Sequence, residues 1–119
     1  MDLNAIIAKV KSHPKFNNAG MVLIHNGVVR NSSRDGREVT GLRIKVDENR
    51  LQEVLAENRA TPGIVDIQVE IAADRDLKVG DDVMYIVVAG DIRENVIETL
   101  RITLDTIKRE VTRKTQYFR

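Results

Sequence analysis

Apolar residues recur along this chain with two periods, one helical and one of two residues, and the switches between them mark its elements. Leu3, Ile6, Ile7 and Val10 repeat at helical spacing between Leu3 and Ser12, and Pro14 blocks any continuation. Ala19 to Val29 is rich in β-formers and predicts a strand, with Gly20 and Gly27 allowing close backbone approach or a bulge. The polar run Arg30 to Arg37 follows as a loop, with Asp35-Gly36 as its turn signal. Val39 to Val46 alternates, Leu42, Ile44 and Val46 to one face and Arg43 and Lys45 to the other, as a half-buried strand does.

Asp47 is placed to cap the next helix, whose apolar face is Leu51, Val54 and Leu55 and whose stop is Thr61-Pro62-Gly63. Ile64 to Ala72 alternates again. Leu77 to Asp82 reads as a connector that turns at Gly80-Asp81. Val83 to Ala89 is almost wholly apolar and predicts a central strand covered on both faces. After Gly90-Asp91, the positions Ile92, Val96, Leu100, Leu104, Ile107 and Val111 predict one amphipathic helix of about five turns. The order, helix-strand-strand-helix-strand-strand-helix, implies an α+β fold: a mainly antiparallel sheet with helices packed on one side. No repeat or linker divides it, so residues 1–119 are expected to form a single domain.

Composition narrows the chemistry. The net charge of +1 and 3% aromatic content make nucleic acid an unfavourable partner. The chain has no cysteine, which removes disulfides, thiolate catalysis and cysteine-bound metals, and any sulfur chemistry must draw its sulfur from a partner. Two histidines, His13 and His25, are too few for a histidine-rich metal site, so no metal and no resident cofactor are expected. The start has no basic-then-apolar leader pattern, and no apolar run approaches the roughly 20 residues that cross a bilayer; the expected compartment is the cytosol, away from membranes.

Neither a nucleophile elbow nor a phosphate-binding glycine loop is present. Asp74, Asp76, Asp81 and Asp82 lie in a turn region and read as solvated. What remains is basic. Arg30 follows the first strand. Arg93 lies in the first turn of the last helix, where free backbone N–H groups also suit an anion. Lys108 lies near that helix's end, with Arg113, Lys114 and Arg119 beyond it. Guanidinium groups suit phosphate and carboxylate. The competing reading, solvated charges complementing a helix dipole, stands beside it on composition alone.

Four collinear stretches sharpen the choice. They are Ala19-Gly20 with Gly27-Val28-Val29-Arg30, then Asp35 to Leu42, then Leu77 to Asp81, and then Arg93 to Lys108 with Glu98, Arg101, Asp105 and Ile107-Lys108. In order and spacing this set resembles the molybdopterin synthase large-subunit family. The resemblance implies an α+β homodimer with two small subunits at its ends, forming a heterotetramer. Each small partner, ubiquitin-like, carries a C-terminal thiocarboxylate. Sulfur passes from it to cyclic pyranopterin monophosphate, giving the dithiolene of molybdopterin.

Carried over by position, the resemblance makes Lys108 the first catalytic lysine and Lys114 the candidate for the second. It assigns Arg30, Arg93 and Arg119 to substrate binding. Several positions depart from the family pattern. Ile92 stands where the family has His, and Ile24 or His25 where it has Phe. Lys45-Val46-Asp47 replaces a Glu-x-Tyr segment. The tail lacks the family's aromatic pair before its second lysine, and Tyr117-Phe118-Arg119 offers a substitute unit. The implied function is therefore the sulfur-transferring catalytic subunit. The alternative is an impaired relative that binds a ubiquitin-like partner or a phosphorylated small molecule without turnover.

Overall fold

The computed structural model describes all of residues 1–119. Its elements in order are α1 (Leu3–Lys11), β1 (Met21–Val28), β2 (Val39–Val46), α2 (Glu48–Arg59), β3 (Ile64–Ile71), β4 (Asp76–Lys78), β5 (Asp82–Gly90), α3 (Arg93–Thr106), a π-helical turn (Ile107–Val111) and β6 (Thr112–Phe118). The strands form two three-stranded antiparallel sheets, ordered β1-β5-β3 and β4-β2-β6.

β5 is central in the first sheet, and its residues from Val83 to Gly90 are buried. This is what an unbroken apolar run of strand length requires. Alternation sends Met84, Ile86 and Val88 into the main core, where Leu51, Val54, Leu55 and Val96 of α2 and α3 meet them. Tyr85, Val87 and Ala89 face the other way and pack on Ile6 and Val10 of α1. The α+β class and antiparallel pairing are as expected. The helices, however, divide between the two faces, because β5 is apolar on both and each face needs a cover.

Local signals set the helix starts. Asp2 Oδ1 accepts from the Ala5 amide at 3.2 Å, and Asp47 Oδ1 from the Arg50 amide at 3.0 Å. At Gly41 a β-carbon would collide with the Leu77 carbonyl, so this position lets β4 close on β2.

The last stretch departs most from expectation. The predicted five-turn helix is α-helical as far as Thr106. One π turn follows, in which the Thr112 amide donates to the Ile107 carbonyl, and the chain then runs as β6 along β2, with Ile44 opposite Lys114. Ile107 and Val111 are buried as their helical spacing demands, so the apolar pattern could not distinguish this turn from further helix. Thr112, Thr115, Tyr117 and Phe118 are strand-formers, and β2 provides the edge they pair with. Likewise the expected connector at Leu77 contains the short strand β4, and its turn occurs where foreseen, with Gly80 at φ +92°.

Candidate active site

Where the two sheets meet, they leave an open cleft of about 770 Å³. Its floor is apolar: Leu42 and Ile44 from β2, Val83 and Met84 from β5. Its walls are polar. β1 contributes His25, the following loop Arg30, Arg34 and Asp35, and the π turn Lys108. β6 contributes every second residue, Thr112, Lys114, Gln116 and Phe118, as the two-residue period of a strand dictates.

The walls carry four cations and one carboxylate, and that carboxylate is already engaged. Asp35 accepts from the Ser33 hydroxyl and from the Arg37 amide, at 3.3 Å for the latter, and these bonds hold its pKa below the ordinary value. Arg30 donates from Nε to the Ser32 carbonyl at 2.8 Å, which leaves its terminal amino groups for a ligand. Partial burial, then the charges of Lys108, Arg34 and Arg30, lower the pKa of Lys114. Burial and the Lys108 charge act the same way on His25. The result is a cationic, apolar-floored recess in which one lysine and one histidine give up protons more readily than usual. Such a site holds an anion and exchanges protons with it.

Among the residues singled out from sequence, Arg30, Lys108 and Lys114 come together here. Two do not. Arg93 lies on the first turn of α3, its side chain 79% exposed and 3.4 Å from Glu94. Arg119 pairs with Glu38 at 3.1 Å outside the cleft. Phe118 lines the cleft, and its ring carries the Arg37 guanidinium 3.6 Å from its centroid. The sequence did not single out Arg34 or Gln116; Phe118 entered only within the Tyr117-Phe118-Arg119 unit, and His25 only as a departure and as one of two histidines too few for a metal site. The signal for Gln116 and Phe118 is the alternation Thr112, Lys114, Gln116, Phe118, which has meaning only once the segment is placed as a strand.

The sequence model of the family described as MoaE protein matches residues 1–110. The chain belongs to the MoaE protein family. Its role is accordingly that of the catalytic subunit of molybdopterin synthase in molybdenum cofactor biosynthesis. The match takes in Arg30, Arg93 and Lys108 and ends before Lys114. No curated protein matches the chain.

Solved structures share the fold. Molybdopterin cofactor biosynthesis protein E from Burkholderia multivorans superposes with a TM-score of 0.77 at 23% identity, over 100% of this chain and 82% of that one. Molybdopterin synthase from Staphylococcus aureus gives 0.73 at 19% identity, over 86% and 77%. A complex of subunits 1 and 2 of molybdopterin-converting factor from Helicobacter pylori gives 0.72 at 17%, over 99% and 80%.

Proposed function

We propose that this MoaE-family chain turns over with its altered tail, moving sulfur from the C-terminal thiocarboxylate of a ubiquitin-like small subunit to cyclic pyranopterin monophosphate. The observation that carries this reading is the meeting of Lys108 and Lys114 over an apolar floor, with Arg30 beside them. The two lysines arrive from different elements, one on the π turn and one on β6.

In this reading Lys108 binds the thiocarboxylate and polarises its carbonyl, and Arg30 holds substrate phosphate. Lys114, with its lowered proton affinity, accepts and returns a proton during transfer. The chain has no cysteine, which suits a reaction whose sulfur arrives on the partner. Substrate contacts are also assigned to Arg93 and Arg119. Arg93 stands outside the cleft of its own protomer, so its contact calls for a second copy of the chain, and a homodimer belongs to the proposal. Arg119 takes part once it exchanges Glu38 for an anionic ligand.

The test is reconstitution. Protein, thiocarboxylated small subunit and cyclic pyranopterin monophosphate are mixed, and molybdopterin formation is followed for wild type and Lys108→Ala. Product that vanishes in the variant supports sulfur transfer at this site. A wild type that binds the small subunit and yields no product would reduce the chain to a binding relative.

A further inference from the structure

His25 is a titratable wall group that neither the family pattern nor the proposed transfer employs. β1 alternation turns it to the same face as Met21 and Leu23, and it lies half-buried in the cleft with Lys108, Lys114, Arg30 and Arg34. Gly27 lies beside it. A β-carbon there would stand 3.4 Å from His25 Nε2 and 3.3 Å from Met84 Cγ, so the imidazole lies beside a bare backbone. No hydrogen bond within the protein is among the influences on this ring.

We infer that His25 is an anion contact of the cleft which takes up a proton when a phosphate or sulfate oxyanion binds. The inference rests on the reading of this cleft as the substrate-phosphate site, and adds that binding there is proton-linked. Charged groups line the cleft with the ring from several elements. The π turn presents Lys108, β6 presents Lys114, and the loop presents Arg30, Arg34 and an already engaged Asp35. β2 and β5 face the ring with Leu42, Ile44, Val83 and Met84. Asp82 is occupied by Asn26 and Tyr85, at 3.1 and 2.6 Å, and Arg101 and Asp105 on α3 are paired at 3.2 Å.

Burial, and then the positive charge of Lys108, favour the neutral imidazole and lower the pKa of His25. A bound oxyanion offsets part of this positive charge and supplies an acceptor for an imidazolium N–H. The folded protein's His25 pKa rises from below its ordinary 6.5 towards or above it. By linkage, the anion binds more tightly as pH falls through this interval, and the gain is lost above the pKa of the bound form.

Inorganic sulfate is a suitable probe, being a dianion across the range of interest. The His25 ring resonance, assigned by its loss in His25→Phe, is titrated by NMR with and without saturating sulfate. We expect its pKa to rise by about one unit, with sulfate affinity correspondingly about tenfold higher at pH about 5.5 than at pH about 8. In His25→Phe this pH dependence should flatten, with binding at the higher pH retained. A His25 titration that ignores sulfate, a cleft that does not bind it, or a variant that keeps the wild-type pH dependence would each overturn the inference. The sulfate experiment involves no sulfur transfer. A chain inert in reconstitution that still shows the proton uptake keeps this inference while losing the turnover proposal, and the converse result separates them equally well.

Discussion

Lys114 shows how a cleft alters the chemistry of one side chain. An ammonium among three other cations, partly withdrawn from water, loses its proton below its ordinary 10.5. Because this pKa is lowered, the neutral amine that accepts protons gains population at lower pH than in a free lysine. Initial rates of molybdopterin formation should therefore rise with pH and level off before that ordinary value. Lys114→Arg keeps the charge but cannot give up its proton. We expect it to lower the rate by about a hundredfold, in the range of general acid–base contributions, while leaving binding of the small subunit intact. A Lys114→Arg variant with near wild-type rate would remove Lys114 from proton transfer and leave it as an anion contact.

At the scale of elements, the π turn and the β2–β4 contact carry the site. Ile107 is fully buried and anchors the turn that presents Lys108. Ile107→Ala should cost about 2–5 kcal/mol in equilibrium denaturation, the usual range for such a truncation. Gly41→Ala forces a β-carbon against the Leu77 carbonyl and should cost about 1–3 kcal/mol, with hydrogen exchange accelerated in β4 before the first sheet. Most elements were legible because each apolar pattern had one meaning. The alternation of Val39–Val46 located β2 to the residue, and the unbroken apolar run located β5. Asp47 was readable as a cap from its place before Leu51, Val54 and Leu55. The π turn was not legible, since it preserves the burial of Ile107 and Val111 that an α-helix to Val111 also shows, and the apolar pattern assigns no element to the tail beyond it. Three site residues were found by family position, but their convergence depends on β6, and no local pattern encodes which edge a tail will join.

The whole molecule measures 48 × 25 × 24 Å with a radius of gyration of 15.0 Å. A compact domain of this length has about 13.5 Å. The excess reflects a second sheet standing beyond the first and joined to it through one core, in which Leu42, Ile44 and Leu77 meet Val83 and Met84; polar contacts brace its elements. Arg50 reaches Glu53 on its own helix and Glu110 on the π turn at 2.8 and 2.9 Å, and Tyr117 donates to Asp76 at 2.8 Å from β6 to β4. Hydrogen bonds from Tyr117 and Arg43 lower the Asp76 pKa, and those from Arg50 and Arg109 lower that of Glu110. For carboxylates with depressed folded values, the stabilisation is present above the unfolded values and is lost as pH falls through the folded ones. The denaturation midpoint should thus decline below the ordinary carboxylate values of 3.8 and 4.5, and Asp76→Asn should soften this decline. An acid limb unchanged by that substitution would remove Asp76 from the account. The proposed dimer belongs to this scale too: sedimentation should give twice the 13.4 kDa chain mass, and a strictly monomeric species would leave Arg93 without a site to serve.

The single extra residue in the π turn sets a parity. From Thr112 onward, even-numbered side chains meet the cleft and odd-numbered ones turn away, and the turn determines which set is which. Removing one residue between Lys108 and Thr112 would hand the cleft Arg113, Thr115 and Tyr117 and expel Lys114, Gln116 and Phe118, although every amino acid of the strand stayed the same. Removing or adding two would slide the strand and keep the right side chains inward. The tail thus behaves as a reading frame of two: its sequence can drift, but changes in the length of the turn before it are tolerated only in pairs.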